Sequence, residues 1–228
     1  MQNVLLDDVL SESKSMHRFY PLVSQMRVKA GSDYVGYVRS IFGPSGIPVE
    51  PREFEGYDLR MFDSVSEMRE AIFQRDADVG LSRMLAGYAW PWKSKTDKSA
   101  YDIELDEIQL RWNGTQVDWI ASPTSREEVG SIHTVQGYDL NYAGVIIGPD
   151  LKFDEARGGI HVDRSSYFDK KGMENNRVLG TAYTDDDLLV FIRNIYAVLL
   201  TRGIAGTYVY VVDPALREYL RPFFPQAD

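Results

Sequence analysis

Phosphate chemistry is the chemistry that the side chains of this 228-residue chain are best placed to do, at three points. Arg202 follows Thr201 at the end of the apolar run N-I-Y-A-V-L-L-T-R-G. A guanidinium fixed at the edge of a buried element presents a rigid fork of donors. If it reaches a neighbouring domain's nucleotide, it stabilises charge as a phosphoryl group transfers. Gln25-Met26-Arg27 closes a second apolar run, Y-P-L-V-S-Q-M-R-V. The third point is S-I-H-T-V-Q-G-Y-D-L, residues 131–140. The Thr134 hydroxyl suits a backbone phosphate of a nucleic acid. Gly137 lets backbone N–H groups approach a phosphate closely. Asp139 is placed to accept from a ribose hydroxyl. His133, beside Thr134, joins the nucleic-acid side of this set, although a packed histidine is the ordinary reading. The plainer alternatives are a helix-end arginine at 202, a surface ion pair at Arg27 and a tight turn at 134–137.

Local patterns supply the scaffold. Residues 20–28 read as a strand. Tyr34, Val35, Val38, Ile41 and Phe42 have helical spacing behind a cap at Ser32 or Asp33. Tyr57–Phe62 alternates as a strand, and Asp63 or Ser64 caps a helix through Arg75. Val79–Ala89 and Gly144–Ile147 read as buried strands, and Val129–His133 as a strand leading into a turn that opens a short helix. Asp185 or Asp186 caps a helix from Asp187 to about Thr201, apolar almost all round and therefore buried. Gly206–Val212 is a strand, and Pro214 starts a last helix to about Leu220. Strands alternating with helices predict a mostly parallel sheet covered on both faces. Ligands are then expected beyond the carboxyl ends of the strands.

Composition narrows the function classes. The chain has no cysteine, so disulfides, thiol nucleophiles and cysteine-bound zinc are excluded. Its three histidines, His17, His133 and His161, are never four apart, and no metal site is expected. Net charge is −9, so any nucleic-acid contact must be a local patch or shared with another domain. No run of apolar residues is long enough to span a membrane, and residues 1–15 lack a basic-then-apolar leader. A cytoplasmic location is the expectation.

The segments L-V-S-Q-M-R-V-K-A-G, M-L-A-G-Y-A-W-P-W, I-H-T-V-Q-G-Y-D-L-N-Y-A-G-V-I-I-G-P-D-L and I-Y-A-V-L-L-T-R-G occur in that order. Together they resemble the second RecA-like lobe of a superfamily-one helicase motor, and in particular the Schlafen-group-3-like DNA/RNA helicase family. The resemblance implies a three-layer RecA-like α/β fold of the P-loop-NTPase type over 19–228, after a lead-in at 1–18. Two irregular insertions fall at about 90–128 and 149–185. It also implies nucleotide contacts from Arg27, with Gln25 beside it. Thr134, Gln136 and Gly137 match the motif that couples nucleotide to nucleic acid. Asp139 stands where many relatives carry Glu. Arg202 matches the arginine finger, beside Thr201. The implied ligands are ATP with Mg²⁺ and DNA or RNA.

No G-x-x-x-x-G-K-[ST] motif is present, nor an apolar strand ending in an Asp-Glu pair. The phosphate-cradling first lobe is therefore expected outside this sequence, as an N-terminal part of a longer parent or as another chain, with the fragment preferred. Two other classes compete. Asp102, Glu104 and Asp106 alternate in Y-D-I-E-L-D-E and on one strand would face one way, as a magnesium-dependent nuclease requires. A non-catalytic interaction domain that retains the fold is the other. Trp90 and Trp92 read as pins for the first insertion or as platforms for bases.

Overall fold

The computed structural model describes residues 28–43, 49–106, 108–115, 117–157, 159–169 and 183–227. The strand expected at 20–28, with Gln25 and Arg27, lies outside the described residues apart from Val28, as does the lead-in at 1–18.

Five parallel strands form the central sheet: β1 (Asp58–Met61), β2 (Ser82–Ala86), β5 (Val129–Gly130), β6 (Leu140–Ile147) and β9 (Gly203–Val211). Their order across the sheet is β1-β9-β6-β2-β5. Alternate residues feed two separate cores. Ala143, Val145 and Ile147 of β6 and Val209 and Val211 of β9 pack with α1 (Gly31–Ile41), α3 (Asp185–Leu200) and α4 (Pro214–Leu220). Tyr142, Ile146, Tyr208 and Tyr210 pack on the other face with α2 (Val65–Val79). Gly144 on that face has no room for a Cβ, which would come within 2.7 Å of Ile72 and Met84. Helices on both faces of an all-parallel sheet make the three-layer RecA-like α/β fold.

The helices form for local reasons, though two caps differ from expectation. Ser64 accepts from the Glu67 N–H, and Pro214 at the first turn of α4 follows the Asp213 cap. Helix α3 is capped by Thr184, not by Asp185 or Asp186: Thr184 and Asp187 bond reciprocally as a capping box. Helix α1 has Ala30 at its cap position and no side-chain cap; Asp33 lies inside its first turn. Helix α2 continues past Arg75 to Val79, so β2 begins at Ser82.

Both expected insertions contain regular structure. The first carries the antiparallel hairpin β3 (Ile103–Leu105)–β4 (Ile108–Leu110), and the second the hairpin β7 (Leu151–Asp154)–β8 (Gly159–Val162). Trp90 and Trp92 pack against the second core, and Trp92 meets Trp112 edge-on at 5.7 Å. They anchor the first insertion. Among the described residues no helix is long and apolar enough to cross a membrane.

Candidate functional site

Arg202 sits in the turn between α3 and β9, at the amino end of β9. The sequence pattern directs attention to the carboxyl ends of strands; this candidate is at the opposite edge. The turn is tightly held. Thr201 Oγ1 donates to the Ala197 and Val198 carbonyls at 2.9 and 3.1 Å, closing the helix. The last helical carbonyl, Leu200, accepts from Tyr34 Oη at 2.9 Å and from Thr207 Oγ1 at 3.1 Å. Tyr57 Oη donates to the Gly203 carbonyl at 3.1 Å and lies 2.7 Å from Thr207 Oγ1. Burial pushes the Tyr57 hydroxyl up to about 12 and the Tyr34 hydroxyl well above its ordinary value. Both therefore remain protonated donors at neutral pH. Gly203 has to be glycine, because a Cβ there would run into the Gly206 carbonyl.

The 131–139 loop meets this turn through the main chain. The Leu140 N–H donates to the Arg202 carbonyl at 3.3 Å, and Leu140 pairs with Gly203 in the sheet. The sheet thus brings Asp139 beside Arg202, 63 positions apart in the numbering. The register between β6 and β9 shifts at Leu140/Tyr142, so the irregular stretch of β9 is the one next to Arg202. Val28 is buried, and the Lys29 N–H donates to the Ile204 carbonyl at 2.9 Å on the same edge.

Within the loop, the residues divide by exposure. Val135 is fully buried and pins it. Thr134 is buried too: its hydroxyl accepts from the Ser131 N–H at 2.8 Å and lies 3.0 Å from Asn113 Oδ1 and 3.1 Å from the Ser131 carbonyl. That hydroxyl is engaged inside the loop. Asn113 Oδ1 also accepts from the Ser131 N–H, at 2.9 Å. His133, Gln136, Gly137 and Asp139 are exposed, and the His133 ring lies 5.7 Å from that of Tyr88. Gly137 has φ of 87°, where glycine is favoured, and residues 132–137 are turns; the short helix expected there is not formed. Tyr138 Oη donates to Asp118 at 2.6 Å, tying the loop to the first insertion.

Asn113, Tyr34, Tyr57 and Thr207 were not singled out by sequence. A buried tyrosine or threonine looks like core until its partner is known, and these partners lie up to 166 residues away. The three acids of Y-D-I-E-L-D-E do not share one face. Strand β3 spans only Ile103–Leu105. The buried Asp102 accepts from the Ser94 and Trp112 N–H groups, both at 2.8 Å. The exposed Glu104 pairs with Lys93, and Asp106, at φ of 48°, accepts from Tyr210 Oη. Among the described residues no group of three or more His, Asp or Glu is arranged to hold a metal ion.

An all-parallel five-stranded sheet with helices on both faces places the chain in the RecA-like three-layer α/β class. The chain belongs to the Schlafen group 3 DNA/RNA helicase domain family, which it matches over residues 3–213. It is 33% identical over 222 residues to the uncharacterized protein YPL245W of Saccharomyces cerevisiae. That match covers 90% of this chain and 48% of the yeast protein, so the chain spans about half the length of this relative. No solved structure matches it.

Proposed function

We propose that this chain is the second motor lobe of an ATP-dependent DNA or RNA helicase or translocase, and that Arg202 is its arginine finger. The observation that supports this best is the main-chain bond between Leu140 and Arg202, which couples the finger turn to the glycine loop. Helicase-domain family membership supports it as well. ATP and Mg²⁺ are held chiefly by a P-loop lobe outside this sequence, in a longer parent or in a partner chain. Gln136, Gly137, Asp139 and Thr201 belong to the wall facing that lobe, and the family resemblance assigns further nucleotide contacts to Arg27 and Gln25. When the lobes close, the Arg202 guanidinium meets the charge developing on the γ-phosphate. His133, exposed on the loop, faces the nucleic acid. Thr134 keeps the loop in shape through Asn113 and Ser131, so movement at Arg202 is passed to the strand contact.

The test is ATP hydrolysis by a parent protein that contains both lobes. Arg202→Ala is expected to lower turnover by roughly 10³-fold or more while ATP still binds, on the scale of other arginine fingers. Arg202→Lys is expected to restore little, because a lysine lacks the planar fork. Turnover near wild type in Arg202→Ala would refute the assignment and leave a non-catalytic scaffold.

A further inference from the structure

A second cluster of cations lies where α2 meets the first insertion. A cavity of about 360 Å³ is lined by Arg69 of α2, Lys98, Arg111 beyond β4, Tyr101, Gln109 and Thr124, with Ser94 and Gly114 at its wall. Its cations differ from several others in this acidic chain, which are ion-paired. Arg60, Arg75, Arg83, Arg126, Arg164 and Arg221 each hold an aspartate. Among the described residues, Arg69, Lys98 and Arg111 have no ion pair and donate no side-chain hydrogen bond. The Nε atoms of Arg69 and Arg111 are shielded from solvent and yet unbonded. A buried charged N–H left without an acceptor is costly, so such a group calls for a ligand or an ordered solvent.

Both guanidinium groups lie over aromatic rings rather than against acids. Arg69 lies 4.3 Å over Phe73, and Arg111 lies 4.7 Å over Tyr101. An aromatic ring does not take up guanidinium N–H donors as a carboxylate would, and a guanidinium fork matches a phosphate. Two carboxylates also line the cavity. Glu128 is turned to the protein, accepting from the Gly114 N–H at 2.9 Å and from Trp119 Nε1 at 2.8 Å; Glu127 is exposed.

We propose that this cavity binds a phosphate group, carried by a nucleic-acid strand or by a free nucleotide. Gln109 and Thr124 supply neutral partners for the remaining oxygens, while Ser94 is held in the wall by its bond to Asp102. None of the lining residues belongs to the 131–139 loop or to 201–202, so this site stands or falls apart from the ATP cleft. It is still coupled to the loop, since Gly114 adjoins Asn113, which holds Ser131 and Thr134.

The experiment uses the whole chain. Binding of a labelled short single-stranded oligonucleotide is followed by anisotropy, and binding of AMP and inorganic phosphate by calorimetry. At least one probe is expected to bind, and Lys98→Gln and Arg111→Gln are each expected to weaken it roughly tenfold. For the strand, each is also expected to flatten the dependence on log salt by about one unit. Arg164→Gln, outside the cavity, is expected to change nothing. Binding of the strand alone assigns the phosphate to nucleic acid; binding of AMP and phosphate that the strand does not displace assigns it to a nucleotide. Lys98 is exposed, so its variant reports on the site even if Arg111→Gln fails to fold. Failure of all three probes to bind, or equal binding by Lys98→Gln and wild type, would overturn the site.

Discussion

The clamp on the α3–β9 turn can be tested through its redundancy. The Leu200 carbonyl is buried and accepts from two hydroxyls, Tyr34 Oη and Thr207 Oγ1. Tyr34→Phe removes one donor and leaves the other in place. Thr207→Val does the same, and Tyr57 Oη keeps the Gly203 carbonyl as an alternative acceptor. Each single change should therefore cost about 1 kcal/mol, the net value of one hydrogen bond. The double variant strips the carbonyl of both side-chain donors, adding a desolvation penalty of about 1–3 kcal/mol beyond the sum. Urea unfolding of the four proteins in a double-mutant cycle measures this coupling. On a chain of this size each kcal/mol also lowers Tm by about 2–4 °C. A double variant additive to within about 0.5 kcal/mol would show that the two hydroxyls do not serve one carbonyl, and the rigid placement of Arg202 would lose its physical basis.

Three further outcomes follow from single groups. Burial raises the Asp150 carboxyl from 3.8 to about 7, against an opposing hydrogen bond from Tyr196 Oη at 2.7 Å. The fold favours the protonated acid, so its contribution is full below the unfolded value and is lost as pH rises from about 4 through about 7. Denaturation at pH 5 and pH 8 should show Asp150→Asn losing less, relative to wild type, at the higher pH; a pH-independent difference would refute this. Gly203→Ala, blocked by a backbone carbonyl, should cost about 3 kcal/mol, whereas Gly137→Ala, with open space around it, should cost about 1 kcal/mol of backbone strain; equal losses by thermal unfolding would contradict the geometry. Asn113→Ala should destabilise by about 1–3 kcal/mol and speed amide hydrogen exchange across 131–136; unchanged exchange would show that Asn113 does not hold the loop.

Elements set by neighbours in sequence were legible. Pro214 after Asp213, and Ser64 three residues before Glu67, mark helix starts by chemistry that operates within one turn. The alternation of strands and helices was enough for a covered parallel sheet. Strand limits were less legible. Strand β9 was read from Gly206 but begins at Gly203, because its first residues are held by pairing with β6 across an irregular register. The Y-D-I-E-L-D-E acids were misplaced for a related reason: alternation holds only while a strand continues, and β3 ends at Leu105.

What the sequence by itself determined is which residues are chemically equipped: Arg202, the glycine of the 131–139 loop, and the absence of any phosphate-cradling loop beside them. The tertiary structure alone decided which of these meet, and where. Arg202 and Asp139 become neighbours only because β6 and β9 are paired in the sheet, and the tyrosines that steady the turn come from α1 and the approach to β1. The pocket of Arg69, Lys98 and Arg111 likewise exists only in three dimensions. Periodicity and capping act over a few residues, whereas register and side-chain bonds between distant elements are settled by packing of the whole chain, which no local spacing encodes.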